Sequence, residues 1–314
     1  MKLYSKPAVT LPMERMSASG RFVHSYLITG DAGAGKKTCA DYIAMQLLCS
    51  DKKGSAPCGS CRECSRVQKH IHPDYIIVEK SKKSFSIEDV RAVVEDSYTA
   101  PNDCDRKVYL FADCDGWSDA AQNATLKITE DPPDSAYFIF TGQSENTFLP
   151  TLRSRSMLMA VGNPSADECA KALSELLPDH STDELLSAAK STGGNIGRAM
   201  ALIQGDEELI NETSLARDIV DSLARGDEYR TAVLLSKAAK TREGLRRVLC
   251  AVSYEVRDSA VTRTVAPVEG EKLSRLGTGR LLKMYDALSA AQSRCLLNCN
   301  ADALSSALCA QLYS

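Results

Sequence analysis

Cys49, Cys58, Cys61 and Cys64 stand in the spacing C-x8-C-x2-C-x2-C. Four thiolates so arranged suit tetrahedral zinc, because the short steps let one tight turn supply neighbouring ligands. Pro57, Gly59 and Ser60 provide the turn chemistry. A full set of four ligands leaves no open position for water, so the expected metal is structural. Four free thiols on a loop, or a redox pair of Cys58 with Cys61 or Cys61 with Cys64, are the competing readings. Upstream, Gly30-Asp31-Ala32-Gly33-Ala34-Gly35-Lys36-Lys37 reads G-x-x-x-x-G-K between a strand pattern and a helix pattern. Gly30, Gly33 and Gly35 let backbone N–H groups turn inward on a phosphate, and the helix N-terminus adds favourable potential. Lys36 would reach the terminal phosphates. The bland alternative is a glycine-rich turn with a solvated lysine.

The next residue departs from the pattern. A hydroxyl should follow the lysine and ligate Mg²⁺, yet position 37 is a second lysine. Thr38 is no simple substitute, since one step along a helix turns the side chain by about 100°. The third strand pattern ends in Ala112-Asp113-Cys114-Asp115. A carboxylate for Mg²⁺ and a glutamate to activate water are needed there; Ala112 holds the metal-side position and the shorter Asp113 the base position. Binding of ATP or ADP can survive these changes. Mg²⁺ is doubtful, and hydrolysis should be weak or absent.

The elements that must position these residues can be read in outline. Strands are expected at Tyr26–Thr29, Tyr75–Val78, Val108–Phe111, Tyr137–Phe140 and Met157–Val161, apolar on both faces as in a sheet covered on both sides. Ser86 with Asp89 forms a capping-box signal, and Ser118 opens a helix that Pro132 and Pro133 stop. Strands alternating with helices imply a mostly parallel α/β sheet. Past Asn163-Pro164 the pattern is helical: a small unit to about Ile203, with Gly193-Gly194 closing its middle helix, then roughly five helices over 210–314. Among these are Thr241–Val261 and Thr278–Leu297, separated by a loop around Pro267 and Gly270.

Composition sets the outer limits. The chain has 314 residues, enough for two or three domains, and its net charge of −3 excludes a whole-molecule electrostatic nucleic-acid binder. No run approaches a membrane span, and no secretory signal is evident, so a cytoplasmic protein without membrane contact is expected. Twelve cysteines in such a chain read as metal ligands plus buried thiols; Cys39, Cys104, Cys114, Cys169, Cys250, Cys295, Cys299 and Cys309 fall in the second class.

In order, His24-Ser25-Tyr26-Leu27, the phosphate loop, the four cysteines, His72-Pro73-Asp74, Ala121-Gln122-Asn123-Ala124-Thr125-Leu126-Lys127, Glu130-Asp131-Pro132-Pro133 and Leu152-Arg153-Ser154-Arg155-Ser156 resemble the clamp-loader branch of the AAA+ family. Ser156 replaces the cysteine of that branch's S-R-C motif, and Asn298-Cys299-Asn300 is similar to the end of its collar domain. The likeness implies an α/β plus all-α architecture. Residues 1–162 would form a RecA-like parallel-sheet AAA+ domain with a zinc module at about 49–64. Residues 163–207 would form a helical lid, and 208–314 a helical collar for oligomerisation. Of the two similar subunit types, the tau/gamma motor has an intact P-loop threonine and a D-E-x-x box, whereas delta prime subunits commonly have degraded sites, as here.

The resemblance further implies that Arg155 reaches across a subunit interface as an arginine finger onto a neighbour's ATP, with Arg153 the weaker candidate. Thr141 falls in the region of the first sensor and Arg198 near the second. A helix-capping threonine and a solvated arginine are the alternatives. Implied partners are tau/gamma-like and delta-like subunits in a hetero-oligomeric ring, with the sliding clamp and primed DNA met through the complex. Two other functions compete: an active tau/gamma-like motor in which Thr38 with Asp113 or Asp115 restores hydrolysis, and an unrelated P-loop NTPase or kinase, or zinc-ribbon nucleic-acid module.

Overall fold

A computed structural model describes residues 3–52, 54–78, 80, 84–265, 273, 276–295 and 299–313. The expected loop at Pro267 and Gly270, and Asn298 of the C-terminal motif, lie outside the described residues. The chain divides into two compact units, Met1–Pro164 and Ser165–Ser314.

In the first unit the order is α1 (Pro7–Ser19), β1 (Ser25–Thr29), α2 (Lys36–Leu48), α3 (Arg62–Gln68), β2 (Tyr75–Ile77), α4 (Ile87–Ser97), β3 (Lys107–Phe111), α5 (Asp119–Glu130), β4 (Ala136–Gly142), α6 (Pro150–Arg153) and β5 (Met157–Ala160). The strands form one parallel sheet in the order β2-β3-β4-β1-β5. Every residue of β1, β3 and β4 is buried, which is why their sequences run continuously apolar. Successive residues still face opposite sides. Tyr26, Ile28, Val108, Leu110 and Ile139 pack with Val9 and Met13 of α1 and Ile43 of α2. Leu27, Tyr109, Phe111, Phe138 and Phe140 pack on the other face with Val90 and Val93 of α4 and Ile128 of α5. Phe111 stacks on Phe140 and on Trp117, at centroid distances of 5.1 and 5.5 Å.

The caps are as the residue types require. Ser86 and Asp89 exchange side-chain and backbone hydrogen bonds as a full capping box, and the Ser118 hydroxyl accepts the Ala121 N–H. Helix α1 contains Pro12 yet continues to Gly20, whose left-handed conformation ends it.

The second unit is helical throughout its described residues: α7 (Ala166–Leu176), α8 (Thr182–Ser191), α9 (Ile196–Ile203), α10 (Glu207–Arg225), α11 (Glu228–Ala238), α12 (Arg242–Val265), α13 (Thr278–Cys295) and α14 (Ala301–Tyr313). It has two hydrophobic clusters. Cys169, Leu173, Leu185 and Ala199 join α7–α9, while Ile219, Leu235, Leu249, Leu281 and Leu308 join α10–α14. Among the described residues, no helix is long and apolar enough to cross a membrane.

Candidate nucleotide pocket and cysteine centre

Strand β1 lies between β4 and β5, so its C-terminal end opens at the point where strand order reverses, the usual place for a ligand crevice in such a sheet. The loop leaving β1 needs its glycines. A Cβ on Gly30 would meet the Val161 carbonyl oxygen at 2.4 Å, and Gly33 and Gly35 take φ of 82° and 86°. Gly35 thereby caps α2 in the left-handed region and turns the first N–H groups of the helix toward a cavity of about 620 Å³. Gly33, Gly35, Lys36, Lys37, Thr38 and Asp113 all line it, as expected of a phosphate site. Lys80, Asp115 and Gln143 line it too.

Lys36 folds back onto its own loop, its ammonium donating to the carbonyls of Gly30 (2.8 Å) and Asp31 (2.9 Å). Lys37 reaches across the cavity to Asp113, with 3.4 Å between Nζ and Oδ2. Asp113 is held in a left-handed conformation, φ 53°, by two strand-end contacts. Its N–H donates to the Thr141 hydroxyl (2.8 Å), and the Cys114 N–H donates to the Thr141 carbonyl (2.7 Å). Thr141 is fully buried inside β4 and so orients the Asp113 turn from behind. Asp115 is committed elsewhere: Oδ1 accepts from the Gln143 N–H and the Thr147 hydroxyl.

A divalent cation does not fit these residues. Mg²⁺ takes near-octahedral oxygen ligands, but Lys37 offers an ammonium where a hydroxyl is needed. Ala112 is buried and apolar where a carboxylate is needed. Of the carboxylates lining the cavity, Asp113 is already faced by that ammonium and Asp115 is engaged by Gln143 and Thr147.

The cysteine centre fits its metal. The Sγ atoms of Cys49, Cys58, Cys61 and Cys64 all lie within 4.8 Å of one another, and Cys49 and Cys61 are 3.9 Å apart. Zn–S bonds of about 2.3 Å in a tetrahedron place sulfurs roughly 3.8 Å apart. Backbone N–H groups of Cys58, Cys61 and Cys64 donate to the sulfurs of Cys49, Cys58 and Cys61 respectively. Burial raises the Cys61 thiol, but the Cys64 N–H and neighbouring hydrogen bonds outweigh it and bring it down to about 6. N–H groups of Ser60 and Cys61 lower Cys58, whereas burial raises Cys49 and Cys64. Cys61 also caps α3, which begins inside the motif.

The module is fastened to the sheet by groups the motif does not include. Arg62 and Arg66 of α3 pair with Asp103, at 3.4 and 2.5 Å. The buried Asp74 carboxylate accepts the N–H groups of Asn102, Asp103 and Cys104 at 2.6, 2.7 and 2.9 Å. These bonds overcome the effect of burial and hold its pKa below the usual carboxylate range. His72 Nδ1 accepts the Asp74 N–H, which leaves the proton on Nε2, 2.8 Å from Glu63. With no lone pair to offer there, His72 is a packing residue that ties α3 to β2. Of the remaining cysteines, Cys39, Cys114, Cys169, Cys250, Cys295 and Cys309 are buried, while Cys104 and Cys299 are partly exposed.

Arg155 follows α6 and does not line the pocket. One guanidinium nitrogen donates to the Thr151 carbonyl (2.8 Å) and another is paired with Glu130; about a third of the side chain stays exposed. Arg153 pairs with Glu145 at 3.8 Å. Ser156, in the cysteine position of the motif, shares a 2.7 Å hydrogen bond with Ser25.

A family profile described as "DNA polymerase III, delta subunit" matches residues 6–165. The DNA polymerase III subunit delta' of Escherichia coli is 33% identical over 228 residues, covering 71% of this chain and 68% of that protein. The chain belongs to the DNA polymerase III delta prime family of clamp-loader subunits. The delta' subunit of Pseudomonas aeruginosa is 29% identical over 183 residues, 58% of this chain and 56% of that one. A gamma/tau subunit of Mycobacterium bovis is 32% identical over 149 residues, 47% of this chain and 26% of its own length. A solved gamma subunit-related protein of Thermotoga maritima covers 97% of this chain and 98% of its own at 16% identity and TM-score 0.45, too distant a likeness to carry the assignment.

For this delta prime family member, the matched span includes the whole pocket, the four cysteines and Arg155. Arg198 lies beyond it, on α9. Arg198 pairs with Glu212 at 3.4 Å, and Arg247 pairs with the same carboxylate at 2.6 Å. Burial raises the pKa of Glu212, and the two guanidinium groups oppose that shift. The reading of Arg198 as a solvated arginine is thus replaced by a partly buried ion-pair network within the second unit. Lys80 and Gln143 had no local signal. They reach the cavity through the strand ends that carry them.

Proposed function

We propose that this chain is a delta prime-like subunit of a bacterial clamp loader, acting in the cytosol and assembling with tau/gamma-like and delta-like subunits to place a sliding clamp on primed DNA. Its own ATPase is weak or absent, and it contributes Arg155 in trans to a neighbour's ATP. The observation that carries this reading is the Lys37–Asp113 pair, which sets an ammonium against the carboxylate that a catalytic cation would need. Asp115, engaged by Gln143 and Thr147, supports it over an active motor. The exposed, charge-held Arg155 suits a group that must leave its own subunit to reach a phosphate. Zinc at the four cysteines would supply a crosslink that fixes α3 and the end of α2, with no part in turnover. The lid-and-collar division proposed for residues 163–207 and 208–314 has support from the separate apolar clusters of α7–α9 and α10–α14. Arg155→Ala in a reconstituted loader tests the proposal. ATPase at the site it serves should fall by up to about a thousandfold, while subunits still co-elute as a complex. Unchanged ATPase would refute the finger, and robust Mg²⁺-dependent turnover by the isolated chain would refute the rest.

A further inference from the structure

The same pocket carries one step more, resting on the reading of a non-hydrolysing subunit. We propose that it binds a nucleoside di- or triphosphate without a divalent cation, the Lys37 ammonium standing where the cation would bridge protein and phosphate.

The parts of the loop that grip phosphate are intact. Gly33 and Gly35 keep the left-handed turns that aim backbone N–H groups inward, and α2 begins at Lys36 directly behind them. What has changed is the source of positive charge. Lys36, Lys37 and Lys80 all line one cavity. Lys36 and Lys80 rest on carbonyl oxygens, of Gly30 and Asp31 and of Asp113 respectively. Lys37 rests on the Asp113 carboxylate with 61% of its side chain exposed. An exposed pair of this kind contributes little and gives way readily. A polyphosphate entering beneath α2 offers these amines a stronger, multiply charged partner.

Thr141 holds the Asp113 backbone on both sides, which keeps its carboxylate on this rim of the cavity. Lys37 would therefore lie between that carboxylate and the incoming phosphate, the place of the ordinary cation. Mg²⁺ brought in with the nucleotide meets that ammonium where a hydroxyl should follow Lys36, and Asp115, the second carboxylate of the cavity, is engaged through Oδ1 by Gln143 and Thr147. Magnesium should add no affinity. It should reduce it by competing for the phosphate oxygens.

Calorimetric titration of the full chain with ADP, ATP and pyrophosphate, in EDTA and in excess Mg²⁺, tests this. ADP and ATP should bind at least as tightly in EDTA as in Mg²⁺. Lys37→Ala, at an exposed position that keeps the fold, should weaken binding in EDTA about tenfold, as for one lost charge-assisted hydrogen bond. Lys37→Thr with Ala112→Asp should turn the preference around, making binding Mg²⁺-dependent. Binding by the unaltered chain only with Mg²⁺, or in neither buffer, would overturn the inference. So would an unchanged affinity in Lys37→Ala, or pyrophosphate binding as tightly as ADP. Assembly is a separate readout. A chain that joins a loader but binds no nucleotide sinks only this inference; one that binds nucleotide without Mg²⁺ but never assembles sinks only the proposed function.

Discussion

Asp74→Ala should destabilise the first unit by about 3 kcal/mol at neutral pH. The carboxylate is fully buried and accepts three backbone N–H groups and the Asn102 side-chain amide, at 2.6–3.0 Å. Removing it strands the three backbone donors, while the Asn102 amide can turn to water. A stranded buried donor costs about 1–3 kcal/mol. Asn102 and Asp103 are exposed, so water can reach their loop and the lower figure applies to each. Trp117 is the single tryptophan and sits in the aromatic cluster of this unit, so its fluorescence reports this unit's unfolding alone. With a urea m-value of about 2 kcal/mol/M, the midpoint should fall by roughly 1.5 M. The effect must also depend on pH in one direction. The folded pKa of Asp74 lies below its unfolded value, so its contribution is complete above the unfolded value, about 3.9. It drains away as pH drops through the folded one. The gap between wild type and variant should therefore narrow in acid. A midpoint shift under about 0.3 M at pH 7, or a gap that stays constant below pH 4, would refute the reasoning. Asp74→Asn keeps the shape but turns an amide N–H₂ toward some of the same donors, and should fall between the two.

Freshly purified protein should contain about one zinc per chain by elemental analysis, and Cys61→Ser should lower that content; a metal-free wild type would remove the zinc reading. Gly193→Ala should cost about 2–3 kcal/mol in the second unit, since the residue has φ +61° and its Cβ would lie 2.3 Å from the Tyr254 ring. A melt followed by far-UV circular dichroism checks it, and an unshifted transition would contradict the geometry. Glu130→Gln should loosen Arg155 and raise the loader's ATPase in the absence of DNA; a fall would mean that Glu130 aims the finger.

Much of this was legible because it is local. The Ser86–Asp89 capping box, the apolar runs of β1, β3 and β4 and the cysteine spacing each declare themselves within a few residues. Local rules also hid things. Pro12 masked α1, although a proline can sit in a helix when packing on Val9 and Met13 compensates for one lost N–H. Helix α3 was concealed because its N-cap is a cysteine of the metal motif. The unread part consists of pairings between distant segments. Lys37 reads as a damaged loop residue until Asp113 is seen opposite, and nothing in the sequence sets the Thr141 hydroxyl on the Asp113 N–H. Arg198 depends on Glu212, carried by a different helix. No periodicity encodes such meetings; the fold creates them.

The grip of Glu130 on Arg155 has a consequence for timing. Alone, the guanidinium has a carboxylate to hold, in a solvent-exposed pair that holds it only lightly. If Arg155 is the finger proposed above, a neighbour would set one monovalent anion at home against a polyanion abroad, and a nucleotide with its last phosphate in place would compete most strongly. On the proposal made above, a finger tethered in this way would read the state of the adjoining subunit and report it by where it rests.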